Sequence, residues 1–83
     1  MNIEIKDTIT LSDDKEYVVV SKVKHENKTY YFILDINDED NIRICVENKF
    51  YLVDVSDEKL KNTLLPLFMQ QAKEELEKMQ NNQ

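Results

Sequence analysis

The stretch Thr29-Tyr30-Tyr31-Phe32-Ile33-Leu34-Asp35-Ile36 constrains this chain more than any other. It carries no polar alternation through Leu34. A strand that is apolar on both faces has to be covered on both. Residues 29–36 are therefore predicted as the central strand of a sheet, and the rest of the chain must supply two covers.

Upstream, Ile3 and Ile5 alternate with Glu4 and Lys6, and Ile9 and Leu11 alternate with Thr8, Thr10 and Ser12. This predicts one first strand with an irregularity at Asp7 and residues 1–6 free to fray. Ser12-Asp13-Asp14-Lys15 is turn chemistry, because short polar side chains bond the local backbone. Residues 16–24 form a second strand, with Tyr17, Val19, Ser21 and Val23 on one face and Val18-Val19-Val20 buried on both sides. Asn37-Asp38-Glu39-Asp40-Asn41 is a polar loop. Ile42, Ile44 and Val46 alternate with Arg43 and Cys45, and Phe50, Leu52 and Asp54 alternate with Tyr51, Val53 and Val55. Five strands joined by short turns make an antiparallel meander.

The chain has no glycine, so its tight turns need another residue for the left-handed backbone region. Glu26-Asn27-Lys28 is echoed by Glu47-Asn48-Lys49, and asparagine tolerates that region best. Asn27 and Asn48 are expected to take positive φ in two hairpins built on one turn solution. The same absence excludes a glycine-rich phosphate loop and a dinucleotide fingerprint.

At Ser56 the apolar period changes from 2 to 3.6. Ser56 reads as an N-cap, with Asp57 and Glu58 in the first turn where the helix dipole favours negative charge. Leu60, Leu64, Leu67, Phe68, Ala72, Leu76 and Met79 form an apolar stripe. Pro66 interrupts it, and an interior proline costs about 3 kcal/mol, so residues 56–79 are expected as a helix kinked near Pro66 or as two helices. Residues 80–83 read as a solvated tail. The fold class is α+β: one domain over residues 1–83, a meander over 7–55 that is flat or curled towards a partial barrel, and an amphipathic C-terminal helix across one face.

Asp7-Thr8-Ile9-Thr10-Leu11, Asp13-Asp14, Glu16-Tyr17, Asn27-Lys28-Thr29-Tyr30-Tyr31, Asp38-Glu39-Asp40 and Ile42-Arg43-Ile44 occur in a distinctive order. Over roughly residues 7–69 the chain resembles a family of small acidic bacterial proteins classed as a domain of unknown function, common in low-GC Gram-positive bacteria. Where that family carries turn glycines, this chain has Asn27 and Asn48. The resemblance implies a fold and a cytoplasmic setting, and it implies no catalytic residues.

Function is constrained mainly by exclusion. Seventeen acidic against eleven basic residues give a net charge of −6, without the clustered Lys and Arg that a nucleic acid or an anionic membrane would require. No apolar run approaches the roughly 18 residues of a membrane span, and residues 1–8 show no signal-peptide pattern. The single cysteine, Cys45, has no internal disulfide partner, which points to the cytoplasm. Asp35-Ile36-Asn37-Asp38-Glu39-Asp40 imitates the start of a calcium loop. It has Asp40 where glycine is needed and Val46 where the closing glutamate belongs, so no metal site is expected. Cys45 and His25 are the only soft pair, with no oxyanion loop beside them, and Asp13, Asp14, Asp35 and Asp38 show no sign of a cleft. The expectation is a non-enzymatic protein without cofactor, which binds a protein partner or a second copy of itself through a sheet face or edge.

The candidate interaction residues are of two kinds. Tyr30, Tyr31 and Tyr51 combine an apolar body with a polar tip, as interface residues do, although most rings in a small domain belong to the core. Asp13, Asp14, Asp38, Glu39 and Asp40 suit a second reading, a phage-type acidic inhibitor that occupies a basic nucleic-acid-binding groove on a host enzyme. There the carboxylates would stand in for phosphates. The acidic-turn arrangement distinguishes the two readings: clustering on one face favours the inhibitor.

Overall fold

A computed structural model describes residues 2–81. Its sheet has five antiparallel strands in the order of the chain: β1 (Thr8–Thr10), β2 (Glu16–His25), β3 (Lys28–Asp35), β4 (Asp38–Asn48) and β5 (Tyr51–Asp54). One helix, α1 (Glu58–Asn81), follows. The expected α+β meander is observed, with the sheet curled into a half-barrel.

The 29–36 run is the middle strand, and both its faces are covered. Tyr31 and Ile33 point to the inner, concave face, where they pack with Tyr17, Val19 and Cys45. Ile3, Ile9 and Leu11 from one edge and Leu52 from the other close over that cluster, so the sheet covers its own inner face by curling. Tyr30 and Phe32 point to the outer face, where Leu64 and Phe68 of α1 pack on them with Ile44 and Val55.

Several expectations need correction. The first strand is only three residues long, because the chain turns at Ile5-Lys6 and Lys6 takes φ of 78°. Residues 2–6 are not loose. The Lys6 amide donates to the Val19 carbonyl at 2.8 Å, and Ile3 packs into the inner cluster. Met1 lies outside the described residues.

Val20 is a β-bulge, because the β2–β3 register skips it between Val19 and Ser21. A single unpaired residue reverses the faces beyond it. Tyr17 and Val19 thus point inward, whereas Ser21 and Val23 turn outward to the helix, and the expected common face for all four does not exist. Val20 itself is 38% exposed, so the valine triplet is not buried on both sides.

The two echoed hairpins differ. Glu26 and Asn27 both take positive φ, at 49° and 67°, which is the two-residue type I′ pattern. In the second hairpin Asn48 is still in β4, paired with Tyr51, and Lys49 takes the positive φ of 57°. Only Ile36-Asn37 forms the β3–β4 turn, so Asp38, Glu39, Asp40 and Asn41 begin β4 and are not a loop.

Asp57, not Ser56, caps α1: its Oδ1 accepts the Lys59 amide at 3.0 Å and the Leu60 amide at 3.4 Å. Pro66 sits inside a single helix, so the two-helix alternative does not occur. The helix continues through Gln80 to Asn81, where a tail was expected, and residues 82–83 lie outside the described part. Among the described residues no helix is long and apolar enough to cross a membrane.

Candidate functional site

Closure of the half-barrel stops short. β1 and β5 are the two sheet edges, and both contribute to the inner cluster without pairing with each other. Between them lies an open groove of about 750 Å³, bordered by Ile9, Thr10 and Leu11 on one side and Leu52 and Asp54 on the other, with Phe50 and Tyr51 at one end.

The ladder phase fixes which backbone groups face this seam. The Val55 amide donates to Ile44 at 2.8 Å, and the Leu11 amide to Lys15 at 3.1 Å. Alternation along antiparallel pairs then turns the N–H and C=O groups of Leu52 and Asp54 away from β4, and those of Thr8 and Thr10 away from β2. Both edges therefore present strand-pairing groups to the same space. Phe50 is 85% exposed and Tyr51 72%, large rings left mostly open to solvent beside the groove.

The other end of the seam is polar and tightly cross-linked. In a meander the β1–β2 turn, the β3–β4 turn and the end of β5 share one end of the sheet. There the Tyr17 hydroxyl donates to Asp13 Oδ2 at 2.8 Å, and Asn41 Nδ2 bridges the Tyr17 oxygen at 3.1 Å and Asp35 Oδ2 at 3.0 Å. Arg43, the only arginine in the chain, donates to Asp13 Oδ2 at 3.1 Å and to Asp54 Oδ2 at 3.2 Å, and stacks over the Tyr17 ring at 5.4 Å. The Cys45 thiol donates to Asp54 Oδ1 at 3.4 Å.

These contacts tune the ionisable groups. The backbone N–H of Lys15, then the Tyr17 hydroxyl and the Arg43 charge, hold Asp13 below the usual carboxylate range. The backbone N–H of Asn37 and then the Asn41 amide do the same for Asp35. Burial, with Asp54 beside it, pushes the Cys45 thiol up to about 12, so it carries almost no thiolate at neutral pH. Burial and the Glu47 carboxylate, which accepts the hydroxyl at 3.0 Å, push Tyr31 to about 12 as well.

The sequence candidates separate cleanly. Tyr30 is 4% exposed and Tyr31 fully buried, which corrects both: they are core residues with no surface to offer. Tyr51 is exposed beside the seam. Asp13 is engaged with Tyr17 and Arg43. Asp14, Asp38, Glu39 and Asp40 are exposed at the same end and make no ion pair among the described residues. Cys45 points inward, whereas His25 lies on the outer face with its ring 6.4 Å from that of Tyr30, so the two do not meet. No group of three or more potential metal ligands occurs among the described residues.

Phe50, Arg43, Asn41 and Asp54 are site residues that the sequence alone does not single out. For Arg43 a signal existed: a lone arginine alternating inward between Ile42 and Ile44 needs carboxylates around it. For Phe50 the signal was an aromatic directly after a turn lysine. Compared with protein-family models, curated proteins and solved structures, the chain finds no match in any of the three.

Proposed function

We propose that the protein is a non-enzymatic cytoplasmic interaction module that takes an extended segment of a partner protein into the seam between β1 and β5. The observation that carries this reading is the pair of unpaired strand edges facing each other over an open groove with Phe50 and Tyr51 at its end. Strand addition would satisfy the backbone groups of Leu52 and Asp54 while the two rings grip side chains. The likeness to small acidic bacterial proteins agrees with such a role but contributes no site.

A second reading is supported by a separate observation. Ten of the seventeen carboxylates gather at the end of the molecule made by the β1–β2 turn, the β3–β4 turn and the start of α1. Asp14, Glu16, Asp38, Glu39, Asp40 and Asp57 are exposed members that make no ion pair among the described residues. An acidic inhibitor of a basic nucleic-acid groove would use that end.

One experiment addresses both. The tagged chain is used to capture partners from its native host, with identification by mass spectrometry, and the recovered complex is followed by amide hydrogen exchange. Seam binding predicts slowed exchange at Leu52 and Asp54, survival in about 0.5 M salt, and loss of the partner in the double variant Phe50→Asp, Tyr51→Asp. Unchanged capture by that variant overturns the seam. Collapse of binding in salt, together with sensitivity to Asp38→Asn and Asp40→Asn, moves the conclusion to the inhibitor. Recovery of nothing but this chain defeats both.

A further inference from the structure

The helix carries two apolar stripes, and only one of them is used by the fold. Leu60, Leu64 and Phe68 face the sheet, with Leu64 fully buried and Phe68 2% exposed. Gln71 ends that contact by accepting a hydrogen bond from the Ser21 hydroxyl of β2. The second stripe is Leu65, Met69, Ala72, Leu76 and Met79. At about 100° per residue these five fall within roughly 40° of a common line, and that line lies about 100° around the helix from the Leu64–Phe68 face. Leu65 is 37%, Met69 73%, Leu76 55% and Met79 48% exposed.

The single stripe expected from the sequence joins Leu60, Leu64 and Phe68 of the first to Ala72, Leu76 and Met79 of the second, includes the half-exposed Leu67, and leaves out Leu65 and Met69. Sorting the residues by burial separates them, and the outer set has spacings of 4, 3, 4 and 3. That is the repeat with which one helix packs against another helix of the same repeat. It begins at a shallow groove of about 340 Å³ between α1 and β4, where Leu65 meets Phe32, Ile42 and Val55. Ile42, 51% exposed, extends the apolar surface onto the sheet.

We propose that this outer stripe is a homodimer interface, with the helix of a second copy packing along Leu65, Met69, Ala72, Leu76 and Met79. The occupant follows from two features. A 4-3 repeat is complementary to itself, and Ala72 at its centre lets two helix backbones approach closely. The flanking charges also tolerate a copy: Lys73 stands about 80° to one side of the stripe and Glu75 about 80° to the other, so neither sign dominates its borders. The strongly acidic end of the molecule lies at the opposite, N-terminal end of α1, so the net charge of −6 is not brought face to face. The exposed fractions of Ile42, Leu65, Met69, Leu76 and Met79 amount to roughly 500 Å² per copy. That total of about 1,000 Å² is the lower bound for a specific interface, so the dimer expected is a weak one.

This surface is separate from the β1–β5 seam, and the test keeps them apart. Sedimentation equilibrium on the whole chain from about 5 μM to about 1 mM reads the monomer–dimer equilibrium, with circular dichroism to verify the fold. The expected result is a weak dimer that persists in about 0.5 M salt. Leu76→Lys and Met69→Lys, both at exposed positions, weaken it about 100-fold or more with unchanged spectra. Phe50→Asp with Tyr51→Asp leaves it intact. A monomer at every concentration, or a dimer that survives both lysine variants, overturns the proposal, and neither result bears on partner capture at the seam.

Discussion

The two faces of the sheet solve the same burial problem by different means. The outer face borrows a separate element: α1 lays Leu64 and Phe68 on Tyr30 and Phe32, and the Phe32 and Phe68 rings meet at 5.6 Å and 56°. Its polar content is small, mainly the Ser21 hydroxyl bonded to the Phe68 carbonyl and Gln71. The inner face has no such element, so the sheet bends until its two edges cover it. That solution leaves a seam, and the polar end of the seam is held by the Asp35–Asn41–Tyr17–Asp13–Arg43–Asp54 chain of contacts. A borrowed lid gives a closed apolar core, whereas self-closure gives an opening and a set of ionisable struts.

The contrast can be broken first on the helix side. Phe68→Ala removes the largest buried ring of α1 and is expected to cost about 3–5 kcal/mol, most of the stability of a domain this small. Urea unfolding reads it as a large fall in midpoint. A cost near 1 kcal/mol would mean that the helix is an accessory and not a lid.

The inner face is expected to respond to pH, and from both directions. Folding keeps the Cys45 and Tyr31 protons up to about 12, whereas the unfolded chain releases them near 9.0 and 10.0. Above pH 9 the native state therefore binds more protons, and stability falls as the pH climbs towards 12. Asp13 and Asp35 act with the opposite sign. Their folded-state values lie below the ordinary 3.8, so the stability they contribute is complete above that value and is lost as the pH falls through the folded ones. Denaturant midpoints across the pH range should give a plateau with both an acid and an alkaline shoulder. Cys45→Ala should weaken the alkaline one.

The smallest change sharpens the comparison most. Tyr17→Phe keeps the ring in the inner core but removes the hydroxyl that joins Asp13 to Asn41. The expected loss is about 1–2 kcal/mol, with the Asp13 pKa moving back towards 3.8 by NMR titration. A loss as large as that of Phe68→Ala would show that the polar struts, not the apolar cluster, hold the inner face closed.

Much of the architecture was legible in residue order alone. Strand number, the turns at residues 12–15 and 26–27 and the change to helix at residues 56–58 are local signals of period and turn chemistry, and they survive tertiary context. What escaped was what depends on one residue's register. Three consecutive valines look the same whichever one bulges, so nothing marked Val20, and with it the face of Ser21 and Val23. Asn48 and Lys49 carry equal turn credentials until β4–β5 pairing selects between them. The helix stripe could not be divided into buried and exposed halves before the sheet's width was known. Tyr30 and Tyr31 looked like interface residues by type, yet as neighbours on the central strand they point to opposite covered faces. Phe50 escaped because a turn-flanking aromatic is ordinary until its exposure is measured.

The strand order described above also bears on how quickly the molecule assembles. Every strand pairs with its neighbour in sequence, so four ladders can zip from hairpins with short loops to close. Two closures span most of the chain: docking of α1, where Ser21 meets Phe68, and approach of Ile3 and Ile9 to Leu52 over the inner core. Until both occur, the intermediate is a bent ribbon with an apolar face on each side and two free edges. Such a species is prone to aggregation, and it persists until the 24-residue helix docks.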